Sequence, residues 1–244
     1  MRKKLYAFLA VTLVSFTASA VIEKDTDGYF KIGTAQDLRD FATYVNEQDN
    51  TARGKLTADI DLDNIPFIPI GLYSDDGTQI EFKGRFNGQG HVIRNLRVEM
   101  NEYYEAGLFS RASGGALIER LGSENAVIIN NGHRTNGNPI RAGVLGGELN
   151  GCVIRNIFTY GNIEIVTDHD QKGGIAGEAN ATVLENCFTT YEDLHRSGPA
   201  PVNSYAGFEV EEMGETGELC FRLNGEQSHI IYYQTLDEDE YPCQ

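Results

Sequence analysis

Basic residues are scarce in this chain. Lys and Arg number 20 against 36 Asp and Glu over 244 residues, a formal charge of −16 at pH 7. Nucleic acid and anionic membrane surfaces attract the opposite balance, so the composition argues against both as partners. Long apolar runs are also missing. The run from Leu5 to Phe16 is too short and wrongly flanked for a stable membrane span. None of His91, His133, His169, His195 or His229 lies in a His-Glu-x-x-His pattern, which removes that zinc-peptidase motif. No nucleophile–base pair and no repeated carboxylate pair recurs along the chain. The sequence therefore names no catalytic residue, no metal ligand and no cofactor. The central region also has no helical period of apolar residues.

Residues 1–20 read instead as a secretory signal. Arg2, Lys3 and Lys4 make the basic start, the apolar run follows, and Ala18-Ser19-Ala20 fits a cleavage site. Cleavage there takes the charge from −16 to −19, since three basic residues go with the leader. No cysteine follows the site to carry a lipid. The expected location is outside the cytoplasm: periplasmic, cell-surface or extracellular. No transmembrane segment is expected in the mature chain.

What the chain does contain is a repeat. Ala106-Gly-Leu-Phe-Ser110 leads to Ala116-Leu-Ile-Glu-Arg-Leu121. Ala142-Gly-Val-Leu-Gly146 leads to Cys152-Val-Ile-Arg-Asn-Ile157. Gly173-Gly-Ile-Ala-Gly177 leads to Thr182-Val-Leu-Glu-Asn-Cys187. An earlier partial copy is His91-Val-Ile-Arg-Asn-Leu96. Steps of 25, 36 and 30 residues separate Ile93, Ile118, Ile154 and Leu184. Self-similarity at such a period means stacked units. Short alternating apolar runs between Gly and Asn mark those units as strands. Stacking predicts side-chain columns: Leu108, Val144 and Ile175; then Ile93, Ile118, Ile154 and Leu184; then Leu96, Leu121, Ile157 and Cys187. Gly107, Gly143 and Gly174 recur at one position, which suits a tight bend or a positive φ. Asn95, Asn156 and Asn186 align at a turn where asparagine tolerates the left-handed region, and Arg120 breaks that column.

These motifs, Gly-(Leu/Val/Ile)-x-Gly followed by (Ile/Leu)-x-Asn-(Leu/Ile/Cys), resemble the GLUG-repeat proteins, secreted or surface proteins that are mainly bacterial. Leu56–Leu62, Pro69–Gly71, Gly84–Gly88 and Gly90–Ile93 resemble the segment that leads into such repeats. The resemblance covers about residues 30 to 194. It implies an adhesin-like role. The expected architecture is all-β: a right-handed parallel β-helix with an N-terminal capping helix and a small C-terminal β appendage. The expected divisions are a signal peptide at 1–20, a cap at 21–55, the β-helix at 56–195 and an acidic C-terminal segment at 196–244.

The cap holds the predicted helix, about 34–47. Thr34 can cap it, Asp37 stands in a capping-box-like position, and Leu38, Phe41, Ala42 and Val45 form one stripe. Asp59, Asp61 and Asp63 alternate with apolar residues and would share one strand face. The turn glycine and distal glutamate of a calcium loop do not follow, so a half-buried strand is expected there. Two insertions, 130–140 and 166–172, lengthen the repeat, and loops on a rigid scaffold are where binding residues gather. They carry His133, Arg134, Asp168, His169, Asp170 and Lys172, with Arg141 just beyond. Phe158, Tyr160, Phe188 and Tyr191 follow the asparagine motif. They suit sugar stacking or packing within the ladder.

Beyond Leu194 the repeat is expected to stop at Arg196-Ser-Gly-Pro-Ala-Pro201. Leu219–Leu223 and His229–Tyr233 read as strands around Asn224-Gly225. This segment resembles one that follows such repeats in Bacteroidetes surface proteins. Four cysteines, 152, 187, 220 and 243, allow three pairings. Cys152 and Cys187 fall at repeat positions and suit buried thiols. Cys220 with Cys243 is the preferred disulfide, a clamp on the C-terminal segment.

The functional expectation is a non-catalytic adhesion or binding module for a glycan or a host or surface protein. Tyr160, Asp168, His169, Asp170 and Tyr191 are its candidate contacts. The alternative is a β-helix enzyme acting on glycans, a polysaccharide lyase or hydrolase, with Asp168, Asp170 and Lys172 as its candidates.

Overall fold

The computed structural model describes residues 22–73, 77, 79–101, 104–132, 139–168, 171–195, 197–208, 216–224, 232–236 and 242. The expected leader lies outside them, as do His169, Asp170 and Cys243. The elements are β1 (Phe30–Ile32), α1 (Ala35–Glu47), β2 (Arg53–Leu56), β3 (Ile60–Asp61), β4 (Leu72–Tyr73), β5 (Gln79–Ile80), β6 (Arg85–Asn87), β7 (Val92–Met100), β8 (Glu105–Ala106) and β9 (Phe109–Ser113). There follow β10 (Leu117–Asn130), β11 (Arg141–Gly143), β12 (Gly146–Asn150), β13 (Val153–Thr167), β14 (Gln171–Gly173), β15 (Ala176–Asn180), β16 (Val183–Thr189), β17 (Tyr205–Ala206) and α2 (Glu218–Asn224). The body is all-β, and its sheets are parallel apart from the β4–β5 hairpin. One sheet of nine strands runs from β1 to β17. Two three-stranded sheets, β14-β11-β8 and β15-β12-β9, lie beside it.

The repeat produces this arrangement because each copy pairs with the next in register. Ile118 stands opposite Ile154 and Ile154 opposite Leu184; Leu121, Ile157 and Cys187 do the same. All six are buried. Burying one such side chain contributes roughly 1.5–3 kcal/mol, so the inward columns are the main source of cohesion.

Where the register departs from expectation, local likeness misled. Ile93 pairs with Ser123 and Ile60, and Leu96 pairs with Ala126. The residue that precedes Ile118 in its column is Phe86, after Gly54 and Phe30. Asn95 likewise belongs to a second corner, between the paired residues Arg94–Glu124 and Leu96–Ala126. Asn125 shares that corner, and both adopt positive φ, 55° and 52°. The first corner holds Arg120, Asn156 and Asn186, with φ of 55°, 55° and 51°. Arg120 thus takes the same left-handed turn without an asparagine.

The recurrent glycines act by close approach rather than by φ. The register aligns Gly143 with Gly173, not Gly174, and pairs Ala142 with Ala106, the residues just before Gly143 and Gly107. A Cβ on Gly107 would lie 2.4 Å from the carbonyl oxygen of Gly143, and one on Gly143 would lie 2.6 Å from Ala176 Cα. Ile175 accordingly follows Leu145, to which its carbonyl is bonded at 3.0 Å.

α1 packs against the core beside β1 and β2. Thr34 Oγ1 accepts from the Asp37 amide at 3.1 Å, and Asp37 Oδ2 accepts from the Gly33 amide at 3.1 Å. The helix buries Leu38, Phe41, Ala42 and Val45. Phe41 reaches over Gly54, where a Cβ would stand 2.9 Å from its ring, and meets Phe30 and Phe86 at 5.8 Å each.

At the other end, pairing runs past residue 195. His195 bridges Ala176, Val202 bridges Glu185, and β17 pairs with β16. Asn203 (φ 42°) extends the first asparagine corner, donating Nδ2 to Asn186 Oδ1 at 2.7 Å. The stretch expected as the first C-terminal strand is the helix α2. Leu219, Cys220 and Leu223 are buried on one side while Phe221 is 76% exposed, a helical pattern. Glu218 and Arg222 pair one turn apart at 2.5 Å. Of the second expected strand only Tyr232 and Tyr233 are described.

Candidate binding surface

Tyr160 is packed inside the molecule. Register sets Val92, Gly122, Phe158, Phe188 and Tyr205 in one outward row. Gly122 leaves room for Phe158, whose Cζ would lie 2.6 Å from a Cβ there. Tyr160 stacks on Phe158 at 5.8 Å. Leu219, Cys220 and Leu223 of α2, with Tyr232, cover these rings. Tyr232 also donates its hydroxyl to the Asn156 carbonyl at 3.2 Å. The sugar-stacking reading of Phe158, Tyr160 and Phe188 therefore gives way to packing. Tyr191 is half-buried against the main core, and its backbone bonds Thr189 Oγ1 and the Gly207 amide. Asp168 is exposed just past β13, separated from Tyr160 by the stretch Gly161–Thr167. Cys220 is buried under α2; the pairing with Cys243 falls outside the described residues.

The three aspartates do not share one strand face. Asp59 holds His91 Nδ1 at 3.1 Å, the Val92 amide at 3.1 Å and Arg94 at 3.2 Å. Asp61 accepts from the Asp63 amide and from Asn95 Nδ2, and these bonds, the backbone one first, hold its carboxyl below the usual range. Asp63 turns away with a φ of 52°. The first two thus tie β7 to the segment before it.

An ionic crevice went unread in the sequence. It forms where the sheet of β8, β11 and β14 meets the sheet of β9, β12 and β15. Gly147 and Gly177 allow that approach: a Cβ on Gly147 would lie 2.5 Å from Glu105 Cβ, and one on Gly177 2.7 Å from the Ala142 amide. Arg141 binds Glu148 at 3.2 Å and Glu105 at 3.3 Å, and also pairs with Glu178. Arg111 binds Glu148 at 2.7 Å and Glu81 at 3.4 Å, and lies 4.3 Å from the centre of the Tyr73 ring. Burial pulls the Arg111 guanidinium down, but Glu148, Glu105 and Glu81 outweigh it and raise it above its ordinary value. Each arginine bridges carboxylates of different repeat copies, so the crevice fastens neighbours together. The recurrence of Gly147-Glu148 as Gly177-Glu178 was the available signal.

Cys152 and Cys187 are buried, and desolvation pushes both thiols up to about 12. As thiols at neutral pH they are poor nucleophiles.

An open surface lies on the part of the nine-stranded sheet that α2 leaves uncovered. Two rows of side chains cross it in register. One is Arg53, Arg85, Leu117, Val153 and Val183; the other is Lys31, Lys55, Asn87, Glu119, Arg155 and Glu185. Arg155 is 46% exposed in its side chain and bonds Glu119 at 2.6 Å; Val183 is 49% exposed. Alternation explains the rows: inward Phe86, Ile118, Ile154 and Leu184 lie between them.

No family model matches the chain. It is 30% identical over 168 residues, 64% of its length, to Halomucin of Haloquadratum walsbyi (strain DSM 16790 / HBSQ001), and it spans about 2% of that protein's length. Among solved structures it is similar to one from Bacteroides ovatus, described as a candidate immunoglobulin A1 protease. That likeness has a TM-score of 0.49 and 14% identical residues, over 90% of this chain and 93% of the other.

Proposed function

We propose that the chain is a right-handed parallel β-helix of the GLUG-repeat kind, serving as an exported, non-catalytic binding or adhesion module. The observation that carries this reading is the open sheet face, where in-register rows present side chains at regular strand spacing. The polar side chains described above serve cohesion: the asparagine corners, the Arg–Glu crevice and the bonds of Asp59 and Asp61 between strands. Export rests on the basic start, the apolar run and Ala18-Ser19-Ala20. No helix among the described residues is long and apolar enough to cross a membrane.

The test is a glycan and surface-protein binding screen with purified protein, run beside incubation with polysaccharides with and without Ca²⁺. Specific binding with unchanged polymer length supports the module. Depolymerisation that disappears in an Asp168→Asn/Asp170→Asn double variant overturns it and favours a glycan-active enzyme.

A further inference from the structure

The sheet face carries an arrangement that stability does not explain. Parallel register sets Arg53 beside Arg85 and Lys31 beside Lys55. Neighbours so placed stand about 4.8 Å apart, and like charges in that position are destabilising. The lysines are relieved locally, Lys31 by Glu23 and Lys55 by Asp25, each at 2.6 Å. Among the described residues no carboxylate relieves the arginines in this way. Arg53 donates Nη1 to the Asp27 carbonyl at 3.0 Å and lies 4.0 Å from the centre of the Tyr29 ring. Its Nε is buried and bonds nothing. Arg85 is exposed, and among the described residues no carboxylate pairs with it. In a chain of net charge −16, two adjacent guanidinium groups without carboxylates are an unmet demand for an anion.

We propose that this face binds a carboxylate-bearing glycan, with a uronate carboxylate held between Arg53 and Arg85 and the neighbouring sugars laid along Leu117, Val153 and Val183. The inference rests on the binding-module reading and names its ligand class. Arginine offers a planar fork that matches a carboxylate. The same row continues as an apolar strip at strand spacing, suited to the C–H faces of sugar rings. The second row limits how much negative charge is accepted, since Glu119 and Glu185 stand beside the strip. The chain's net charge also repels dense polyanions beyond the patch. The fitting ligand therefore carries sparse carboxylates on a carbohydrate backbone, which excludes nucleic acid.

The experiment is calorimetric titration of the purified full chain with a hyaluronan oligosaccharide, in which uronates alternate with neutral sugars, its methyl ester and a neutral chito-oligosaccharide of equal length. The acid should bind more tightly than the ester or the neutral sugar, and less tightly as salt rises. Arg85→Gln should weaken acid binding alone, and Arg53→Gln/Arg85→Gln should do so roughly three- to tenfold. Arg85 is exposed, so its single variant decides the matter if the double variant unfolds. Equal binding of acid and ester, unchanged affinity in Arg85→Gln, or no binding of the acid overturns the proposal. Tight binding of the neutral sugar that ignores both variants sinks the carboxylate site while leaving the binding module standing. Shortening of the hyaluronan oligosaccharide overturns the non-catalytic reading instead, and the variants still judge the arginine pair.

Discussion

Asn95 and Asn156 end identical Val-Ile-Arg-Asn strings and share a φ of 55°, yet they stand at different corners. Asn95 donates Nδ2 to Asp61 Oδ1 at 2.9 Å. Asn156 accepts from Asn186 Nδ2 at 2.9 Å, in a ladder that continues to Asn203. Both corners require a left-handed residue, so the same tetrapeptide serves each.

That ladder can be extended. Arg120 holds the left-handed turn that Asn156 and Asn186 hold in the next copies. A residue other than Gly, Asn or Asp pays roughly 1–2 kcal/mol for that conformation. Arg120→Asn is expected to raise the melting temperature, and Asn186→Ala to lower it more than Asn186→Gly does. Calorimetric melts of the three variants check the order.

Ile154 lies fully buried between Ile118 and Leu184, while its neighbour Arg155 faces solvent. Removing an apolar side chain of that size costs ~2–5 kcal/mol, and an unpaired buried charge adds to it. Ile154→Asp should unfold or strongly destabilise the protein. Arg155→Asp should change its melt far less. Equal, small effects would reject the register.

The crevice predicts a contrast between two arginines. Arg141→Ala would remove the cation shared by Glu105, Glu148 and Glu178, whose side chains are at most 11% exposed, although Glu148 keeps Arg111. Breaking a buried pair costs about 3–5 kcal/mol. Arg155→Ala, at a pair whose arginine is 46% exposed, should cost clearly less. Urea unfolding of both variants reads the difference.

His195 gives the pH dependence a sign. Burial lowers its folded pKa below the ordinary histidine value. The unfolded chain then takes up the proton first, so this residue destabilises the fold as pH drops through about 6.5. The melting temperature should fall between pH 7 and pH 5.5, and His195→Gln should flatten that part of the profile. An unchanged slope in the variant would assign it to other groups.

Cys152 and Cys187, with thiols pushed up to about 12, should resist iodoacetamide at pH 8 in the folded protein and react once it is unfolded. Peptide mass mapping of both states measures this directly.

Much of the body was legible in the chain. The columns through Ile118, Ile154 and Leu184 and through Leu121, Ile157 and Cys187, the left-handed asparagines and the capped helix at Ala35–Glu47 all follow from preferences carried within a few residues. Apolar alternation fixes which face turns inward, and asparagine marks where the backbone can turn. What a local pattern cannot do is choose its partner. Val92–Asn95 and Val153–Asn156 are the same string, so only pairing with β10 assigned each to its corner. Leu219, Phe221 and Leu223 fit an alternating strand as well as a helix. The outward row of Phe158 and Phe188 decided for the helix, because it must be covered and α2 supplies Leu219 and Leu223 on one side. Arg111 and Glu148 lie 37 residues apart, and Arg53 and Arg85 gain meaning only when parallel register sets them side by side. Conformational preference is a property of neighbours along the chain, whereas burial and charge pairing belong to neighbours in space.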